Sequence, residues 1–130
     1  MDHAVIIFAH GSRDPLWHRP MQAVADRLRE KSPTTLVRCA YLELTEPDLA
    51  TATAELLAAG TRHIRILPMF LGVGRHARED LPQLVNQLRA ANAEIAFTLM
   101  PSVGEDPRVL ALLAELALEA GASDLARHND

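Results

Sequence analysis

Three side chains in this sequence have the types and spacing to do chemistry together. His10 follows the apolar run at residues 4–9 (AVIIFA), Glu43 follows residues 36–42 (LVRCAYL), and His76 lies in the segment after residues 63–67 (HIRIL). If each run is a strand of one parallel sheet, all three stand beyond carboxyl ends, at the rim where open α/β sheets bind ligands. Two imidazoles and a carboxylate suit a borderline divalent metal such as cobalt, iron, nickel or zinc, and a mixed ligand set leaves positions open for exchange. Taken singly, each residue also has an ordinary role. A histidine after a strand serves as a loop hydrogen-bonder, and Glu43 can cap the helix that follows. The case rests on the shared rim.

Arg13, Arg75 and Arg78 flank the two histidines and can pair with carboxylates of an anionic substrate, or simply remain solvated loop cations. Gly11, Gly72 and Gly74 permit unusual backbone angles near a ligand, but form no GxGxxG or P-loop pattern. His3 and His63 fall at the opposite edge of the sheet and His128 in the tail, so solvated roles suit them. His18, in the first loop, lies nearer the rim but is not expected to bind metal. Cys39, mid-strand, reads as a small buried residue.

The elements that must position these groups alternate regularly. Continuous apolar, β-branched runs mark strands buried on both faces, at residues 4–9, 36–42, 63–67 and 94–100 (EIAFTLM). Helical spacing covers residues 21–31, stopped by Ser32-Pro33. A second helix starts at Thr45-Glu46-Pro47-Asp48, with Thr45 as its expected cap and Pro47 in its first turn, and runs to Gly60. A third is expected at residues 77–91, after a Gly-containing loop over residues 69–76, with Pro82 tolerated only in a first turn. Pro107 opens the last helix, residues 108–119, stopped by Gly121. Four strands alternating with four helices predict a three-layer α/β/α flavodoxin-like fold with a four-stranded parallel sheet in order 2-1-3-4. In that order His10 lies between the other two candidates.

The chain of 130 residues, 48% hydrophobic, suits one domain over residues 1–122 with a frayed tail at 123–130. A single cysteine excludes an internal disulfide framework and a multi-cysteine zinc site, and points to a reducing compartment, the cytoplasm. No apolar stretch approaches the ~20 residues of a spanning helix, and the short apolar start lacks signal-peptide organisation, so no membrane is expected. A net charge of −4 without basic runs, and only 4% aromatics, argue against nucleic acid.

Read as ordered blocks, these residues resemble a known family. His10-Gly11-Ser12-Arg13, then Tyr41-Leu42-Glu43 with Pro47, then Leu67-Pro68-Met69-Phe70-Leu71-Gly72-Val73-Gly74-Arg75-His76 through Asp80-Leu81-Pro82, are similar to the short CbiX type of sirohydrochlorin chelatase, over about residues 4 to 110. The resemblance implies a class II tetrapyrrole chelatase, a lyase that inserts cobalt in cobalamin synthesis or ferrous iron in sirohaem synthesis, with nickel a further candidate. It implies no organic cofactor, the metal being a substrate. It places the metal-handling residues on His10, Glu43 and His76, with Ser12, Arg13, Gly72, Gly74, Arg75 and Arg78 as candidate substrate contacts. It further implies a homodimer with a sirohydrochlorin-like tetrapyrrole in a cleft shared between subunits, since longer relatives carry two such halves in one chain. Two alternatives stay open. A non-catalytic metal or tetrapyrrole carrier would use the same rim without turnover. A histidine phosphatase also places His-Gly after a first strand, but in an Arg-His-Gly pattern, and here Ala9 precedes His10.

Overall fold

A computed structural model of the chain describes residues 3–119. The expected stop at Gly121, the tail from residue 123 and His128 lie outside them. Strands β1 (His3–Ala9), β2 (Leu36–Tyr41), β3 (His63–Pro68) and β4 (Ala96–Leu99) form one parallel sheet in the order β2-β1-β3-β4, as the sequence predicts. Helices α1 (Arg19–Lys31), α2 (Leu49–Ala58), α3 (Arg75–Ala91) and α4 (Pro107–Leu118) follow the strands in turn.

Alternation along β1 divides the core. Ala4, Ile6 and Phe8 point to one face, where Ile64 and Ile66 of β3 join Leu49, Ala52 and Leu56 of α2 and Leu81 and Val85 of α3. Ile7 and Ala9 point to the other, where Val37 and Tyr41 of β2 meet Met21 and Ala25 of α1. Each edge strand also has a carbonyl taken by an arginine from the last turn of the preceding helix: Arg29 donates to Val37 at 3.0 Å and Arg89 to Phe97 at 3.0 Å. Occupied edge carbonyls leave less of the sheet free to recruit another strand. No helix among the described residues is long and apolar enough to cross a membrane.

Three local expectations are corrected. Helix α2 starts at Leu49, capped by Asp48, whose carboxylate accepts from the Thr51 N–H at 2.8 Å. Thr45 is therefore not the cap, and Pro47 precedes the helix rather than sitting in its first turn. Helix α3 begins at Arg75, two residues earlier than expected, so His76 is in a helical first turn and not in a loop. Pro82 consequently lies inside the helix. It removes the N–H that would serve the carbonyl of Arg78, yet Pro82 and Arg78 are exposed, where solvent can take over that bond. Buried Leu81 and Val85 hold the helix to the sheet on both sides of it.

If Asp48 is the cap, Asp48→Ala lowers stability by about 1 kcal/mol, while Thr45→Ala changes it little, both measured by urea denaturation. Hydrogen bonds from Thr51 hold the Asp48 carboxyl below its ordinary value. A depressed pKa contributes stability above the ordinary carboxylate range and loses it as the pH falls, so the gap between wild type and Asp48→Ala should close below about pH 4.

Candidate metal-handling site

The ladder between β1 and β2 does not stop where the strands do. The Leu42 N–H donates to the Ala9 carbonyl at 2.9 Å and the Glu43 N–H to the His10 carbonyl at 3.0 Å, carrying the pairing two residues past Tyr41. This brings the two side chains together, with His10 Nε2 2.9 Å from Glu43 Oε1. An ionised carboxylate only accepts, so Nε2 carries the proton and donates, which leaves the lone pair of a neutral imidazole on Nδ1. Glu43 thereby fixes the tautomer of His10, as a carboxylate does behind a metal-bound histidine.

The backbone is bent to allow this. Gly11 has φ +108, and a Cβ there would run into the Glu43 carbonyl oxygen. Leu44, directly after Glu43, has φ 67, and the Thr45 N–H turns back to the Glu43 carbonyl at 2.9 Å. That three-residue turn is rare and strained for a leucine. The first loop is held from below: His18 Nε2 donates to the Ser12 carbonyl at 2.7 Å, and its ring stands edge-on to Tyr41 at 4.8 Å. His18 is thus a clamp on the His10 loop, its Nε2 spent. Desolvation of Tyr41 pushes its pKa up to about 12, so its hydroxyl stays neutral and is no proton acceptor near pH 7.

His76 lies on the same rim, since it opens the helix that follows β3, but it does not join the pair. Among the described residues no three His, Cys, Asp or Glu side chains stand close enough to hold a metal ion. The expected convergence of His10, Glu43 and His76 is therefore only partly present. His10 and Glu43 are locked by a shared backbone ladder, whereas His76 belongs to α3, eight residues past the end of β3.

The remaining candidates are disposed around this rim. Ser12 accepts from the Asp14 N–H at 3.0 Å. Arg13 and Arg78 are exposed, and Arg75 pairs with Glu79 at 3.2 Å. Gly74 is the N-cap of α3, at φ −63. Neither it nor Gly72 has a positive φ or a neighbour that a Cβ would meet, so the unusual geometry expected of them belongs to Gly11 instead. His3 and His63 are exposed at the far edge, stacked at 4.8 Å. Cys39 is half-buried, and desolvation raises its thiol pKa.

Sequence reasoning missed two features of the rim. Gly104 donates to the Phe70 carbonyl at 2.9 Å and has no room for a Cβ against the Leu71 carbonyl, which ties the β3 loop to the β4 loop. Leu16, Leu44 and Leu71, one in each loop after β1, β2 and β3, are 59%, 52% and 65% exposed. Their placement becomes informative only once the loops are known to share an edge. The His10 and Glu43 side chains are 54% and 55% exposed, so the rim of one chain is open.

Comparison with known proteins gives a consistent picture. The CbiX family profile matches residues 4–120. The chain is 27% identical to the sirohydrochlorin cobaltochelatase of Sulfolobus acidocaldarius, over 89% of this chain and 90% of that one. It is 32% identical to that of Methanococcus aeolicus over 63% of this chain, and the match spans only 57% of the relative's length. Among solved structures, a candidate cobalamin (vitamin B12) biosynthesis CbiX protein of Marinobacter aquaeolei superposes with a TM-score of 0.78 at 29% identity, over 96% of this chain and 98% of the other. The sirohydrochlorin chelatase SirB of Bacillus subtilis subspecies spizizenii, in complex with cobalt, shares the fold with a TM-score of 0.70 at 24% identity, over 82% of this chain and 45% of SirB.

The contact between Gly11 and Glu43 makes a specific demand. Gly11→Ala must relieve both the positive φ and the collision with a carbonyl, and should cost about 2 kcal/mol or more. The measurement is the urea midpoint at unchanged slope. A loss below about 0.5 kcal/mol would show that the two exits do not approach this closely.

Proposed function

The chain belongs to the CbiX family, and from that premise we propose that it inserts a divalent metal ion, cobalt or ferrous iron, into a sirohydrochlorin-like tetrapyrrole. The observation that carries the reading is the His10–Glu43 pair at the open rim. Insertion exchanges M²⁺ for the two pyrrole N–H protons of the free macrocycle, so the site must hold a cation, shed its water and accept protons. A neutral His10 with its lone pair on Nδ1 can ligate the metal or take a proton, and Glu43 stabilises the positive charge that either event leaves on the imidazole. Glu43 can then pass a proton outward, since its side chain reaches solvent. His76 supplies the second imidazole, from the same rim of this chain or from a second copy.

An exposed site suits metal delivery but cannot wrap a macrocycle about 10 to 15 Å across, because a ligand site usually buries most of its ligand. We therefore take the working unit to be a homodimer whose rims face each other, two-fold symmetry being the commonest arrangement. Leu16, Leu44 and Leu71 would meet the apolar faces of the ring, and Arg13, Arg75 and Arg78 its carboxylates. Ser12, Gly72 and Gly74 lie on the same loops. No organic cofactor is needed, and a single cysteine suits the reducing cytoplasm. The named relatives are chelatases, which favours turnover over a stoichiometric carrier and over a phosphatase.

Anaerobic absorbance assays of sirohydrochlorin with cobalt, ferrous iron and nickel test this directly, many metallated rings per chain being the expected result. His10→Ala and His76→Ala should each lower insertion by about 100-fold or more, with unchanged far-UV circular dichroism because both side chains are exposed. Near-normal turnover in either variant would remove that histidine from the mechanism. Glu43→Gln keeps the shape but loses the charge, so it should slow insertion more than it weakens macrocycle binding. Equal losses in both would instead assign Glu43 a purely structural role at the start of its turn.

A further inference from the structure

The amino edge of the sheet, opposite the rim, carries a second pair of imidazoles. His3 opens β1 and His63 opens β3, and the two are register partners in the parallel ladder. Successive side chains alternate between faces. His3 therefore lies on the side of Val5 and Ile7, and His63 on the side of Arg65 and Leu67, which is the side that α1 packs on. Their rings stack with centres 4.8 Å apart and planes 19° from parallel. Both residues are exposed, and neither belongs to the core on either face.

The ladder supplies the costly part of a chelating pair. Strand pairing fixes the two backbones about 4.8 Å apart, so binding an ion has only side-chain torsions left to order. Two imidazole nitrogens on one tetrahedral ion, each at about 2.0 to 2.1 Å from it, stand about 3.4 Å apart. Small turns of two exposed side chains reach that spacing from the stacked position. Ala96, the register partner of His63 on β4, is small and exposed, so no bulk opposes those turns from that side.

We propose that His3 and His63 form a second metal site, a two-imidazole chelate for a borderline divalent cation such as zinc, cobalt or nickel. Imidazole suits these ions. Magnesium and calcium take oxygen ligands, and among the described residues no third His, Cys, Asp or Glu completes a cluster here. Arg65, two residues along β3 on the same face, adds a repelling charge, so the ion is held by nitrogen lone pairs rather than by a negative field. Water takes the remaining positions, which leaves the ion exchangeable. The site is separate from the rim. β1 is seven residues long, and at about 3.3 Å per residue it sets His3 about 23 Å from His10, too far for one ion to be shared. The inference rests on strand pairing and ligand chemistry, not on the metal-insertion reading.

Zinc and cobalt themselves are the probes. In an untagged chain carrying His10→Ala and His76→Ala, which removes both rim imidazoles, equilibrium dialysis near neutral pH should still find one ion per chain. Adding His3→Gln or His63→Gln should each weaken that binding about 100-fold, because either leaves a single ligand in place of a chelate. In the unaltered chain, zinc should shift the imidazole nitrogen resonances of His3 and His63 together, with one midpoint, and magnesium should shift neither. Three results would overturn the proposal: no ion retained once the rim imidazoles are gone; an ion lost with only one of the two Gln variants, which puts it on a single histidine; or an ion that survives both, which puts it elsewhere. The resonance readout needs no substitution, so an unstable variant does not blunt the test, and a shift at only one ring, or at neither, also counts against the site. A failed metal-insertion assay leaves this readout untouched, and absence of this ion leaves the rim site standing.

Discussion

The rim depends on how closely the exits of β1 and β2 approach. Neighbouring strands lie about 4.8 Å apart, which is too far for two arbitrary side chains to meet in a fixed hydrogen bond once their loops diverge. Here the loops do not diverge at once, because Leu42 and Glu43 keep pairing with Ala9 and His10. The extension requires a residue without a Cβ at Gly11, beneath the Glu43 carbonyl, and a positive φ at Leu44 directly after it. Both are conformationally costly, and they are adjacent to the His10–Glu43 pair on the rim. Strain held at such a place is a common mark of a working site.

The His10–Glu43 pair contributes little to stability. With both side chains more than half exposed, solvent screens the interaction, and pairs of this kind are worth about 0 to 1 kcal/mol. Its consequence is directional: the carboxylate decides which imidazole nitrogen keeps a lone pair. The scaffolding beneath is different in kind. Tyr41 is buried, His18 stands edge-on against it and bonds the Ser12 carbonyl, and the loop bearing His10 is thereby anchored to the core while its tip stays wet. An open, oriented imidazole suits the acceptance of a hydrated cation, and exclusion of water must come from whatever closes over the rim.

Much of this was legible in the sequence, for reasons that differ by element. Residues 4–9 are apolar without alternation, so a strand buried on both faces was readable directly, and a parallel sheet followed from alternation with helices; the order 2-1-3-4 was carried by the fold type and is the order observed. His10 and Glu43 were readable as neighbours because each ends its strand. The start of α2 was not, since Thr45 and Asp48 both belong to the capping types, and the Thr51 N–H bonds the Asp48 carboxylate. Pro82 misled for a related reason: its local penalty argued against a helix interior, and burial of Leu81 and Val85 overrides it. Gly72 and Gly74 looked as permissive as Gly11, but a glycine matters where something presses on it, and at those two positions nothing does.

Nothing in the apolar pattern of α4 announces that none of its residues would be buried. Pattern reports that a helix must be buried and is silent about the surface that buries it. Among the described residues, large apolar side chains stay exposed at the rim, at Leu16, Leu44 and Leu71, and along α4, which starts there. Pairing past the ends of β1 and β2 therefore orients the imidazole without covering it, and the leucines beside it mark where cover is needed.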